Sequence, residues 1–131
     1  MIVVDTSALM AIILDEPSAD SCTAVLEDPT QRLLLSAGTL LEVYVVAARK
    51  NCRPGLDALL AAIPFDIITV TASRAEMAAA AYRRFGKGFH KAGLNFGDCF
   101  AYGLARELDC PLLFVGGDFA RTDIVPARAE A

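Results

Sequence analysis

Apolar positions along the chain follow two rhythms, short unbroken runs and longer helix-like stretches. Ile2-Val3-Val4 is an unbroken apolar run, the pattern of a strand buried on both faces of a sheet. A short helix is predicted from Ser7. Glu16-Pro17-Ser18 breaks it, and Pro17 can begin a second helix to about Glu27, because proline suits a first helical turn. Arg32 to Ser36 reads as a second strand. Thr39 to about Lys50 and Arg53 to Ala62 read as helices, the latter ended by Pro64, and Asp66 to Val70 as a third strand. Thr71 to Phe85 is an alanine-rich helix, and Gly86 to Asn95 a loop containing Gly86, Gly88 and Gly93. Phe96 to Leu108 is a helix, Leu112 to Val115 a fourth strand, and Gly116-Gly117-Asp118 a tight turn. The tail from Pro126 is expected to fray. No repeat, low-complexity tract or linker interrupts this order, so residues 1–131 are predicted to form a single domain.

Strands alternating with helices imply an α/β fold with a parallel sheet covered on both faces. In such sheets, sites form outside the carboxyl ends of the strands. Asp5 ends the first strand and Asp118 follows the fourth, so both are expected on one rim.

Composition removes several function classes. No apolar run approaches the ~20 residues of a membrane helix. Met1 to Asp5 lacks the basic start of a signal peptide. A soluble, cytoplasmic protein is expected. Cys22, Cys52, Cys99 and Cys110 match no zinc or CxxC spacing and are expected to be reduced. His90 is the only histidine, which excludes a zinc site built on several histidines.

The net charge of −4 argues against holding nucleic acid by bulk charge. Its distribution adds a qualification. No acid occurs from Met77 to Gly97, where Arg83, Arg84, Lys87 and Lys91 all lie. This segment is either a solvated helix end and loop or a local phosphate-contacting arm.

Four acids stand out by placement, and each has an ordinary structural explanation. Asp5 can cap the helix that follows it. Thr39-Leu40-Leu41-Glu42 fits a capping box. Asp98, three residues after Asn95, can sit at a helix start, where an acid favours the dipole. Asp118 can cap a turn. Together on one rim they would repel one another and hold protons more tightly, a cost that a divalent cation removes. Oxygen ligands without His or Cys suit Mg²⁺ or Mn²⁺. Thr6 and Ser7 can support Asp5 or a metal-bound water, although Ser7 can equally be a helix cap. Asp123 can be an accessory acid or a turn residue.

Val3-Val4-Asp5-Thr6-Ser7-Ala8-Leu9, Leu41-Glu42, Gly93-Leu94-Asn95-Phe96-Gly97-Asp98-Cys99-Phe100-Ala101-Tyr102 and Leu113-Phe114-Val115-Gly116-Gly117-Asp118-Phe119 resemble the VapC-type toxins of the PIN-domain family. The resemblance runs from residue 2 to about residue 125. It implies a PIN-like three-layer α/β/α sandwich around a mainly parallel sheet of four to five strands. It also implies a Mg²⁺- or Mn²⁺-dependent endoribonuclease, the toxin of a type II toxin–antitoxin pair, forming a homodimer bound by a VapB-like antitoxin. Asp5, Glu42, Asp98 and Asp118 match the family's acidic quartet, with Asp5, Asp98 and Asp118 as the metal-binding acids. Where many relatives carry Asn or Asp before the last acid, this chain has Gly117, which leaves open whether Asp118 is a direct ligand. The basic stretch falls where relatives carry a basic loop, making Arg84, Lys87 and Lys91 candidate RNA contacts.

Two other classes compete. One is a catalytically silent module acting through dimer or antitoxin contacts. In that reading the four acids serve only as caps. Separately, the surplus of aliphatic residues from Leu9 to Leu14 and from Leu40 to Ala48 serves either a partner interface or a thick core. The other is a phosphoryl-transfer protein with an aspartate nucleophile. Asp5-Thr6-Ser7 lacks the second acid such phosphatases use, and no lysine follows Asp118 where a receiver domain would need one.

Overall fold

A computed structural model describes residues 1–128. Four strands, β1 (Ile2–Val4), β2 (Leu33–Ser36), β3 (Asp66–Ile68) and β4 (Leu112–Leu113), form one parallel sheet in the order β3-β2-β1-β4. Val3 pairs with Leu34 on one side and Leu112 on the other. The chain steps outward from β1 to β2 to β3, then crosses the sheet to place β4 on the far side of β1. That reversal opens a crevice beyond the carboxyl ends of β1 and β4.

The strands are unbroken apolar runs because both faces are covered. Val3, Leu34 and Leu112 pack beneath α5 (Ala72–Phe85) and α6 (Asp98–Glu107). Ile2, Val4, Leu33, Leu35 and Leu113 face the opposite layer, α1 (Thr6–Ile13), α2 (Ala19–Leu26), α3 (Ala37–Arg49) and α4 (Arg53–Ala62). This is the expected three-layer sandwich, with four strands.

Local chemistry sets the helix ends. Asp15, Asn51 and Asp109 adopt left-handed φ angles of 52°, 54° and 49° just beyond α1, α3 and α6. Asp and Asn tolerate this conformation better than other non-glycine residues. Gly38 in α3 lies where any Cβ would overlap the Phe100 ring, so its lack of a side chain lets α3 and α6 approach.

Three sequence expectations require correction. The capping box at Thr39–Glu42 does not form. The α3 helix starts earlier, Ser36 is its cap, and the Gly38 N–H donates to Ser36 Oγ at 3.2 Å. The tail does not fray at Pro126: the Ala127 N–H donates to the Leu112 carbonyl and Arg128 Nε to the Phe114 carbonyl. Residues 129–131 of that tail lie outside the described residues. The apolar surplus also divides. Leu9, Met10 and Ala11 are buried in the core, whereas Leu41 and Val45 on α3 are exposed. Among the described residues, no helix is long and apolar enough to cross a membrane.

Candidate active site on the sheet rim

Four elements deliver one acid each to the crevice. Asp5 follows β1 and caps α1. Glu42 lies in the second turn of α3. Asp98 opens α6. Asp118 follows β4 and precedes a single 3₁₀ turn at Phe119–Arg121. All four line one open cleft of about 290 Å³. Asp5 and Asp98 are also burdened electrostatically by each other or by their acidic neighbours, Glu42 acting on both and Asp118 on Asp98.

Three of these carboxylates share a pattern. In each, the protein holds one oxygen and offers no donor to the other among the described residues. Asp5 Oδ2 accepts from the Ser7 N–H at 3.0 Å and the Ser7 hydroxyl at 2.7 Å, whereas Oδ1 is buried without a partner. Glu42 Oε1 accepts from the Thr6 hydroxyl at 2.6 Å. Asp98 Oδ2 accepts from the Asn95 N–H at 3.0 Å, while Asn95 Oδ1 accepts from the Asp98 N–H at 2.9 Å. This reciprocal pair is a capping box with Asn and Asp in its two places. In Asp5 and Asp98 the hydrogen bonds made to the protein fall on Oδ2 alone, and in Glu42 on Oε1 alone, among the described residues.

Burial raises the Asp5 carboxyl to about 7, against the pull of the Ser7 contacts and with the help of Asp98 and Glu42. Burial also raises Asp98 to about 6, joined by the charges of Glu42 and Asp118. No ion pair among the described residues involves any of the four acids. A buried carboxylate oxygen without a donor is costly. A hard cation in the cleft would relieve that cost and the mutual repulsion together. The acids do not form a closed cage: no group of three or more among the described residues converges tightly enough to hold an ion on its own. An open arrangement suits Mg²⁺, which keeps several of its waters and takes few protein oxygens.

The supporting residues divide. Thr6 and Ser7 line the cleft with the acids. Ser7 also ties two elements together, because its Oγ accepts from the Val115 N–H at 3.0 Å while donating to Asp5. Asp123 is engaged elsewhere. It accepts from the Tyr102 hydroxyl at 2.5 Å and pairs with Arg84 at 3.4 Å and Arg106 at 3.7 Å. Arg84 lies in that pair and over the Phe85 ring, whereas Lys87 and Lys91 stand exposed on the loop. His90 accepts from the Ala92 N–H through Nδ1 and faces the Phe85 ring, away from ligand chemistry.

Gly97 escaped the sequence reading. A Cβ there would overlap the Glu42 carboxylate, so the missing side chain makes room for the acid of α3 beside α6. The only sequence signal is a glycine directly before an acid at a helix start, which also fits an ordinary cap.

Comparisons with known proteins bear on the family and the fold. The family model for the PIN domain matches residues 2–125. Ribonuclease VapC30 of Mycobacterium tuberculosis is 48% identical over 125 residues, covering 93% of this chain and 95% of that protein. Ribonuclease VapC of Mycolicibacterium smegmatis is 44% identical over 126 residues, covering 93% and 96%. Among solved structures, Mycobacterium tuberculosis VapC20, described as a Sarcin-Ricin loop cleaving toxin, superposes with a TM-score of 0.79 at 19% identity. That match covers 98% of this chain and 100% of VapC20. A toxin–antitoxin complex from Klebsiella pneumoniae matches with a TM-score of 0.72 at 20% identity, covering all of both chains.

Proposed function

The chain belongs to the PIN-domain family of VapC ribonucleases, and from that membership and the rim of acids we propose that it is a metal-dependent endoribonuclease, the toxin of a type II toxin–antitoxin pair. The observation that carries the reading is the shared state of Asp5, Glu42 and Asp98: one oxygen held by the protein, the other without a donor among the described residues.

Asp5, Asp98 and Asp118 are the residues that would hold Mg²⁺ or Mn²⁺, directly or through water. When bound, such an ion supplies Lewis acidity and neutralises charge developing on a phosphoryl group. The chain's own residues do the rest. Ser7 fixes Asp5, and the Asn95 N–H fixes Asp98. Thr6 occupies Oε1 of Glu42, leaving Oε2 to orient the attacking water and take its proton. In-line attack by water on an RNA phosphodiester leaves a 3′-hydroxyl and a 5′-phosphate. Lys87 and Lys91, exposed on the loop before α6, contact substrate phosphates, with Arg84 beside them.

The working form is a homodimer, with a VapB-like antitoxin as partner. Leu41 and Val45, 66% and 50% exposed on α3, flank Glu42 and give an apolar surface for such contacts. Antitoxin-free protein should cleave RNA with Mg²⁺ or Mn²⁺ and stop when EDTA is added. Asp5→Ala should remain folded and inactive. Undiminished cleavage in EDTA, or full metal-dependent activity in Asp5→Ala, overturns the reading.

A further inference from the structure

Two of the most exposed large apolar side chains are phenylalanines on the approach to α6: Phe96 is 77% exposed and Phe89 63%. A single exposed aromatic is ordinary. These two belong to a row. Phe89 meets Tyr82 edge-on with ring centroids 5.9 Å apart, and Phe96 meets Phe100 edge-on at 5.2 Å. Between Tyr82 and Phe96 opens an apolar cleft of about 370 Å³, walled by Ala75, Ala79 and Cys99. The row thus runs from Phe89 through Tyr82 and the cleft to Phe96, two residues before Asp98.

Its frame is firm. The Leu94 N–H donates to the Phe85 carbonyl and the Lys87 N–H to the Leu94 carbonyl, closing the loop on its own ends. Phe100 is seated on Gly38. The helix end and loop that carry Tyr82, Phe89 and Phe96 are basic. No acid occurs from Met77 to Gly97, and Arg83, Lys87 and Lys91 are exposed without ion-pair partners among the described residues. Aromatic faces interleaved with cations suit single-stranded nucleic acid, whose bases stack on rings while its phosphates meet the cations.

We propose that this row is a stacking track for an unpaired RNA strand, with bases on Phe96 and Phe89 and phosphates against Arg83, Lys87 and Lys91, leading the scissile bond to the rim at Asp98. The track rests on the ribonuclease reading and adds to it the face that grips substrate. A second copy of this chain is the poorer occupant. A two-fold contact pairs this face with itself, so two patches of net positive charge would meet.

The test uses full-length protein carrying Asp5→Asn, to block cleavage, and a short single-stranded RNA with 2-aminopurine at successive positions. Phe96→Ala and Phe89→Ala should each weaken binding roughly 5- to 100-fold and remove the 2-aminopurine quenching. Phe96→Trp should retain both, and Phe96→Leu, apolar but without a π face, should lose both. The salt dependence should be unchanged in the ring variants and fall by about one unit of slope in Lys87→Ala. Unchanged affinity in Phe96→Ala overturns the track. So does a Phe96→Ala protein whose mass by light scattering drops while Phe96→Leu behaves as the parent, since apolar bulk at this position would then hold a second copy. RNA binding by the parent with no cleavage by wild type removes the ribonuclease reading and leaves the ring results to judge the track as a binding face. Neither binding nor cleavage overturns both.

Discussion

Gly97 lies against the carboxylate of Glu42. A Cβ at position 97 would overlap Oε2 of that acid, the oxygen not held by Thr6. Close approach here depends on a missing side chain, so Gly97→Ala should push Glu42 off the rim while leaving α6 intact. A displacement of about 1 Å near reacting groups costs on the order of 100-fold in rate, and we expect a loss of that size in kcat for RNA cleavage. Mn²⁺ affinity should hardly change, because Glu42 is assigned to water rather than to metal. Wild-type kcat in a folded Gly97→Ala protein would show that Glu42 does not need this fit.

Proton linkage gives the metal-free protein a distinctive pH dependence. Asp5 and Asp98 rise from the ordinary 3.8 to about 7 and about 6, burial being the main cause in both. The folded state therefore binds protons more tightly than the unfolded chain. Where that holds, stability falls as pH rises. The contribution of these two acids should be fully present below about pH 4 and lost as pH rises through about 6 and about 7. Metal binding needs the ionised carboxylates, so added Mn²⁺ should restore more stability near neutrality than in acid. Thermal melts in EDTA and in Mn²⁺ across this range measure both effects. A Mn²⁺ effect that is equal at all pH values would separate these acids from metal binding.

Ser7 offers a test that does not touch a proposed ligand. Its hydroxyl lowers the Asp5 pKa and joins β1 to the strand end that leads to Asp118. Ser7→Ala should destabilise the fold by about 1–3 kcal/mol, because the Val115 N–H loses its acceptor. The pH profile of cleavage should also move to higher pH, since Asp5 would hold its proton more tightly. Ser7→Thr retains a hydroxyl and should restore the profile if the larger side chain fits. A pure stability loss with an unmoved profile would reduce Ser7 to a structural tie.

Much of this site was legible in the chain. Unbroken apolar strands and alternating helices imply the parallel sheet, and the sheet brings Asp5 and Asp118 to one rim. What the chain concealed were side-chain choices made in three dimensions. Glu42 fits a capping box in sequence, yet its partner is Thr6, thirty-six positions away. Sequence spacing reports local hydrogen bonds, while long-range partners depend on which helices meet. Gly97 was opaque for the same reason, because the atom it makes room for belongs to α3. Asp98 was half legible: its cap with Asn95 is local, but its approach to Glu42 is not.

Asp123 and Asp118 lie five residues apart in one short segment, yet the fold separates their tasks. Asp118 lines the cleft. Asp123 accepts from Tyr102 and faces Arg84 and Arg106. Partial burial opposes its ionisation, but the Tyr102 hydroxyl and the two arginines prevail and its pKa falls below the ordinary value. An acid already neutralised by two cations has little charge to offer a metal, so Asp123→Ala should leave Mn²⁺ affinity unchanged in calorimetric titration. It should lower the melting temperature, because Tyr102 and both arginines lose their partner and the C-terminal segment is held less firmly. Asp118→Ala should do the reverse, weakening Mn²⁺ binding with little loss of stability. If Asp123→Ala weakens Mn²⁺ binding as much as Asp118→Ala does, the two acids act together at the rim and the tether to Tyr102 is not the role of Asp123.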